Sequence, residues 1–345
     1  MTLLQENPAT TTDRRPRIGL VGAGVISHAH MPALLDLGRE VVVFSEVGAP
    51  ELVAAHGAGT VVPSFEELLE RVDVVDVATP TFTHAGYVAA ALRAGKDVIS
   101  EKPLARTDED AAALTALAAD LGRTLYPAQV VRFFPEYAHL KASVDSGRLG
   151  DLAVLRFSRS GAYPTRTPWF ADVALSGGIV LDQMIHDLDI ARWVAGEVVQ
   201  VSAVSRTAGT AQEPVAGAHV LLTHASGAIS QVSGIWGPPH LAFTTSFSVA
   251  GTLGTLSHDS AAERGFSADL RTAPGSGGLM PDVDPAESPY YVELREFIGA
   301  LSGGPAARVT AADGAEAVRI GNAALASIDT GQPVALTPTT TPAEG

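Results

Sequence analysis

Residues 17–27 read RIGLVGAGVIS, and their order decides the fold. Ile18 to Val21 suit a short buried strand, and the stretch VISHAHMPALLDLG reads as a helix that stops at Gly38. The turn between them, Gly22-Ala23-Gly24-Val25-Ile26-Ser27, is a G-x-G-x-x-G pattern with serine in place of the third glycine. Gly22 permits the tight turn, and Gly24 lets a pyrophosphate approach the backbone. Val25 and Ile26 open a helix whose free amides favour phosphate charge. Ser27 is small enough to keep helix and strand close. Such a turn alone is weak evidence; the preceding strand, the following helix and a further strand beyond give it the context of a dinucleotide site.

The next strand, over 40–44, ends in Ser45-Glu46. A carboxylate there suits the adenosine ribose hydroxyls, and no arginine in the loop at 47–50 is available to clamp a 2′-phosphate. NAD is therefore favoured, with NADP possible. Strands are expected at 60–62, 73–78, 97–100 and 124–130, alternating with helices at 64–71 and 83–94 and a long helix that Thr107 caps. About six parallel strands follow, a doubly wound Rossmann sheet over residues 17–128. Ligands bind beyond the carboxyl ends of such strands, which places Thr79, Pro80, His84 and Glu101-Lys102-Pro103 beside the cofactor. For His84 a structural role at the helix start fits equally well. Lys102 follows a buried strand directly and is restrained by Pro103, a poor setting for a free surface lysine.

The chain has 345 residues, 46% hydrophobic, enough for two cores. A formal charge of −15 and the lack of a basic run exclude duplex nucleic acid and anionic membranes as expected partners. The absence of cysteine removes disulfides, thiolate metal sites and cysteine nucleophiles, and suits a cytoplasmic location. Arg14-Arg15 precede a glycine-punctuated segment that flows straight into the nucleotide turn, so an export signal is not the expected reading. Residues 1–16 and 337–345 are expected to be loose tails.

Residues 177–193, GGIVLDQMIHDLDIARW, are the second informative stretch. Read as an α-helix at roughly 100° per residue, they bring Asp182, His186, Asp189 and Trp193 within an arc of about 60°. Met184, Leu188 and Ala191 fall on another side, facing a core. Asp182, His186 and Asp189 also have spacing that a metal could use, but a lysine nearby disfavours it, and no metal is expected.

Taken together, the glycine turn at 22–27, Glu101-Lys102-Pro103, and Asp182-x-x-x-His186 after paired glycines resemble the glucose–fructose oxidoreductase / inositol dehydrogenase (Gfo/Idh/MocA) family. The segments VVRFFPEY at 130–137, SGRLGDLAVLRF at 146–157 and TAADGAEAVRIGNAALAS at 310–327 fit as well. The resemblance implies NAD or NADP at the glycine turn and a catalytic group of Lys102, Asp182 and His186. It further implies an open-sheet second domain, one face of which builds homodimers or homotetramers. DQMIHDLDIARW is similar to the inositol dehydrogenase end of the family.

Independently of the resemblance, valine-rich alternating segments at 152–160, 198–207, 215–223, 228–235 and 243–250 predict a mostly antiparallel sheet in an α/β substrate domain over 129–336. Loops or a flap are expected at 259–285, and helices at 289–301 and 311–327. The expected chemistry is oxidation of a secondary alcohol of a cyclic polyol or sugar. His186 would move the proton, Asp182 would orient it or hold a hydroxyl, and Lys102 would stabilise alkoxide charge. Asp189 is a candidate sugar ligand, with solvation or an ion pair to Arg192 as the alternative. Tyr163, Arg166 and Trp169 are candidates to cover the substrate. Two other readings remain open at this point: a redox-neutral NAD-dependent glycoside hydrolase, and a catalytically silent dinucleotide-sensing regulator.

Overall fold

The computed structural model describes residues 15–164, 168–210, 213–262, 266–270 and 288–337. The expected tails lie outside those residues except at their inner ends, as does Arg166. Most of the expected flap at 259–285 also lies outside.

Strands β1 (Ile18–Val21), β2 (Val41–Phe44), β3 (Thr60–Val61), β4 (Val74–Val77), β5 (Asp97–Glu101) and β6 (Leu125–Ala128) form one sheet in the order β3-β2-β1-β4-β5-β6. Every pairing in it is parallel. Helices α1 (Ser27–Asp36), α2 (Ala49–His56), α3 (Phe65–Arg71), α4 (His84–Arg93) and α5 (Asp108–Asp120) connect the strands. Strands β1 and β4 are buried throughout, as their apolar runs require of a sheet covered on both faces. The hydroxyls of Ser64 and Thr107 accept the amides of Glu67 and Asp110 at 3.2 and 3.1 Å, fixing where α3 and α5 begin. Residues 47–50, read from sequence as a loop, instead lead into α2. Gly48 turns the chain at φ 86°, and Pro50 sits in the first helical turn, where its missing N–H costs nothing. The strand order reverses between β1 and β4, which opens a crevice at their carboxyl ends.

The rest of the chain adds α6 (Pro135–Asp145), β7 (Leu152–Ala162), α7 (Pro168–Ala171), α8 (Val173–Ser176), a π turn at Val180–Met184 and α9 (Ile185–Ala195). Then come β8 (Val198–Gly209), β9 (Pro214–His224), β10 (Ile229–Gly237), β11 (Thr244–Gly251), β12 (Gly254–Asp259), β13 (Phe266–Leu270), α10 (Pro289–Leu301), α11 (Ala311–Thr330) and β14 (Val334–Ala335). These strands form an eight-stranded sheet, β13-β12-β11-β7-β10-β9-β8-β14. Its pairings are antiparallel except β7 with β10. The fold is thus a Rossmann α/β domain followed by a sheet domain of mixed α and β structure. Part of the segment expected as flap, β13, is an edge strand paired with β12. Its short alternation is hidden among glycine and serine.

One face of the second sheet packs on helices. Val201, Ala203, Val220, Leu222, Val232, Leu155, Phe157 and Val249 share a cluster with Leu188, Ala191, Ile320 and Ala324. The other face is open and carries Val204, Leu221, Ile229 and Ile235, all exposed. This inward–outward alternation is what period-2 side chains produce when one face is covered.

Candidate active site

A cleft of about 750 Å³ lies beyond the carboxyl ends of β1, β2, β4 and β5. Gly22, Gly24, Val25, Ile26, Glu46, Thr79, Pro80, Glu101, Lys102, Trp169 and Asp182 are on its wall. Gly22 holds φ 110°, and a Cβ there would meet the Ala78 carbonyl oxygen at 2.4 Å, so the turn can close only with glycine. A Cβ on Gly24 would meet nothing within 4 Å, leaving its backbone open to a ligand in the cleft. The Ser27 hydroxyl donates to the Gly22 carbonyl at 3.0 Å and closes the turn from below. At the rim, Ser45 gives its hydroxyl to the Val47 carbonyl at 2.8 Å, whereas Glu46 is exposed. Trp169 stacks on Phe170, with ring centres 3.9 Å apart, and meets the edge of Phe82.

Lys102 enters this cleft from the end of β5. Its amide donates to Glu101 Oε2 at 3.0 Å. Its ammonium donates to the Asp182 carbonyl oxygen at 2.7 Å and lies 3.5 Å from Asp182 Oδ1. Asp182 belongs to the π turn, which the reading at 100° per residue did not anticipate. A π turn winds more residues per turn than an α-helix, so the expected common arc of side chains does not hold across it. The paired glycines set its start. Gly177 ends α8 at φ 77°, and a Cβ there would strike Leu181 at 2.5 Å.

His186, in the first turn of α9, is half-buried, and its Nδ1 has no hydrogen-bond partner among the described residues. Burial, with the charges of Lys102 and Arg159 adding to it, holds the imidazole well below its ordinary pKa. The ring is therefore neutral at pH 7 and able to take a proton. Asp182 is engaged with Lys102 rather than bonded to this ring.

His186 itself does not line the cleft wall, and two further expected residues are placed elsewhere. Asp189 does not face the cleft: Arg132 Nε and one terminal guanidinium nitrogen bond its carboxylate at 2.7 and 2.6 Å, inside the protein. The alternative of a pair with Arg192 is likewise corrected, since Arg192 bonds Asp313 and Glu197. His84 is buried behind the cleft wall. Its two ring nitrogens lie 2.8 Å from the carbonyl oxygens of Pro103 and Thr79, so it clamps the two loops that flank the lysine. The sequence reading overlooked Arg159, which is buried on β7 and paired with Asp187 at 3.0 and 3.1 Å. The parity of Leu155, Phe157 and Arg159 along that strand was the available signal.

Residues 16–129 match the oxidoreductase family with an NAD-binding Rossmann fold, and residues 137–257 match the GFO/IDH/MocA C-terminal domain. A 1,5-anhydro-D-fructose reductase of Ensifer adhaerens is 31% identical, the match covering 92% of this chain and 97% of that protein. The chain belongs to the Gfo/Idh/MocA oxidoreductase family. Inositol 2-dehydrogenase 2 of Saccharopolyspora erythraea is 30% identical to this oxidoreductase, over 93% of the chain and 96% of the relative. The crystal structure of GenD2 from gentamicin A biosynthesis in complex with NAD is 26% identical with a TM-score of 0.81, over 98% and 100% of the two chains. This family member is an NAD-dependent oxidoreductase. The open backbone at Gly24 and the Gly22 turn fit the pyrophosphate, and the exposed carboxylate of Glu46 fits the ribose.

Proposed function

We propose that this oxidoreductase dehydrogenates a secondary alcohol of a cyclic polyol or sugar, with an inositol-like substrate favoured, and uses Lys102, Asp182 and His186 to do so. The observation that carries the reading is the Lys102–Asp182 contact at the cleft wall, one helical turn before a neutral histidine.

The nicotinamide supplies the hydride acceptor. Lys102 binds the substrate oxygen and stabilises the negative charge that grows on it as the proton departs. Asp182 holds the ammonium in place through its carbonyl and carboxylate. His186 takes the hydroxyl proton, its ring being unprotonated at neutral pH. Trp169, with Phe170, offers an apolar face to the substrate ring or the nicotinamide. Within this reading Gly22, Gly24, Val25, Ile26, Glu46, Thr79 and Pro80 bind NAD, and residues 129–336 hold the substrate against residues 17–128.

The neighbours named inositol 2-dehydrogenase and 1,5-anhydro-D-fructose reductase support a polyol or sugar substrate. Exposed Val204, Leu221, Ile229 and Ile235 on the open sheet face support a homodimer or homotetramer joined there. No helix among the described residues is long and apolar enough to cross a membrane. With a cysteine-free composition, this supports a cytoplasmic site of action.

The test is a panel of inositols, hexoses and anhydro-sugars assayed with NAD and NADP, with His186→Ala as control. Nicotinamide reduction by at least one cyclic polyol, lost in His186→Ala, is the expected result. Sugar release without net reduction would identify a redox-neutral hydrolase instead, and no turnover at all would overturn the proposal.

A further inference from the structure

A cluster of buried charge lies directly behind the Lys102 turn. His30, on α1, is fully buried. Its Nδ1 lies 2.8 Å from Asp76 Oδ2 on β4, and its Nε2 lies 3.3 Å from Glu101 Oε1 at the end of β5, an ion-pair contact without hydrogen-bond geometry. The other Glu101 oxygen, Oε2, receives the Lys102 amide at 3.0 Å. One imidazole therefore links the helix that leaves the glycine turn to the peptide that carries Lys102.

Charge and burial agree with this geometry. Asp76 is 0% exposed and Glu101 5%, and two carboxylates so placed require a cation. Burial opposes a charged His30, but Asp76 and then Glu101 outweigh it and hold the imidazole well above its ordinary pKa. Burial pushes the Glu101 carboxyl up, yet His30, helped by Lys102 and His84, holds it below the usual range. Glu293 and Tyr290 face the cluster from α10. Glu293 is fully buried with neither carboxyl oxygen hydrogen-bonded among the described residues, and burial reinforced by Glu101 pushes its pKa well up, which disfavours a third negative charge there.

We propose that His30 is a positioning residue for Lys102, acting through Glu101. His30 supplies the cation that keeps Glu101 turned inward with an oxygen on the Lys102 amide. Without that cation the carboxylate is drawn toward the cleft it already borders, the amide is released, and the lysine stem leaves the Asp182 carbonyl. The inference rests on the reading of Lys102 as the group that binds the substrate oxygen.

The chain contains three lysines, Lys96, Lys102 and Lys141, so lysine-selective ¹³C labelling gives a spectrum in which loss of a signal in Lys102→Ala assigns Lys102. His30→Gln keeps an approximate size and a donor near the Nε2 position but removes the charge. The expected result is a shifted Lys102 Cε signal with Lys96 and Lys141 unmoved, kcat lowered about tenfold or more, and NAD Kd within about twofold of wild type. In a Lys102→Ala background, His30→Gln lowers kcat no further. An unmoved Lys102 signal, an equal loss in both backgrounds, or a loss of NAD affinity in step with kcat would each overturn the proposal. If Lys102→Ala itself leaves kcat intact, the functional reading of Lys102 falls, and the Cε signal alone decides whether His30 positions the side chain. Should His30→Gln fail to fold, Glu101→Gln breaks the same link from its other end and is read by the same signal.

Discussion

Arg132 and Asp189 form a two-pronged ion pair across 57 positions of sequence, with both side chains at most 2% exposed. The guanidinium also bonds the Arg308 carbonyl, approaches Asp313 at 3.3 Å and lies over the Trp193 ring. Asp189 thus belongs to the joint between α9, α11 and the turn that follows β6. A carboxylate one turn beyond His186 looks like a hydroxyl ligand, but here it anchors the helix that carries the histidine.

Removing Asp189 leaves a buried guanidinium without its main partner. Asp189→Ala is expected to destabilise the protein by about 3 kcal/mol, near the lower end for broken buried pairs because Asp313 remains close. Urea unfolding measures the loss. KM for the polyol stays unchanged while the variant is folded; a raised KM at undiminished stability would return Asp189 to the substrate.

The two glycines of the nucleotide turn should fail differently. Gly22→Ala forces a side chain against the Ala78 carbonyl and into a left-handed backbone, with an expected cost of about 1–3 kcal/mol in stability. A Gly24→Ala side chain meets no atom of the described residues within 4 Å, so the variant's melting temperature should hold while NAD affinity falls. Thermal melts beside NAD titrations separate the two, and a Gly24→Ala protein that binds NAD normally would place the pyrophosphate elsewhere.

Glu46 should set the preference between NAD and NADP. Wild type is expected to favour NAD, and Glu46→Ser to erode that preference by roughly ten- to hundredfold, the worth of about 1.5–3 kcal/mol for hydrogen bonds to a charged group. The ratio of kcat/KM for the two cofactors reports it. An unchanged ratio would pass the role to Ser45.

For His186 the folded-state pKa lies below the unfolded value of about 6.5. Above that value both states hold a neutral ring and the group contributes nothing to pH dependence. As pH falls below it, the unfolded chain binds a proton that the folded one refuses, so stability declines toward acid. Wild type should therefore lose stability relative to His186→Asn as pH drops below about 6.5. The acid limb of polyol oxidation should also lie below that value. Lys102→Met should raise the His186 midpoint in an NMR titration; no movement would mean that burial and Arg159 set it without the lysine.

If the open sheet face joins subunits, Leu221→Glu paired with Val204→Glu should yield monomers. Light scattering coupled to size-exclusion chromatography reads the mass. A wild-type monomer, or a variant that stays assembled, would reject that face as the interface.

The parallel sheet was legible because apolar runs, glycine stops and hydroxyl caps are local signals, and Ser64 and Thr107 do what such residues do at helix starts. Gly22 and Lys102 could likewise be placed at one cleft, since the carboxyl ends of parallel strands bring them together; Asp182 was joined to them by the family resemblance alone. Asp189 was misplaced for two reasons: a π turn alters the angular spacing before it, and its partner lies in a different segment. His30 passed unnoticed because a histidine on a helix identifies its partners only when β4 and β5 come alongside. Arg159 was concealed by its own charge on a strand whose parity pointed inward.

The first apolar core is not closed by the residues that begin it. Val21, Val75, Val98 and Leu125 of the parallel sheet cluster with Leu181 of the π turn and Ile185 of α9, and with Ala317 and Val318 of α11. A ribosome that has just completed β6 must add about 190 more residues before Val318 exists, roughly 10–40 s at ordinary elongation rates. Throughout that interval the nucleotide-binding half carries an unsealed greasy side, open to chaperones and to its own kind. Synthesis of α11 seals that side and, with the same packing, seats the helix that bears His186.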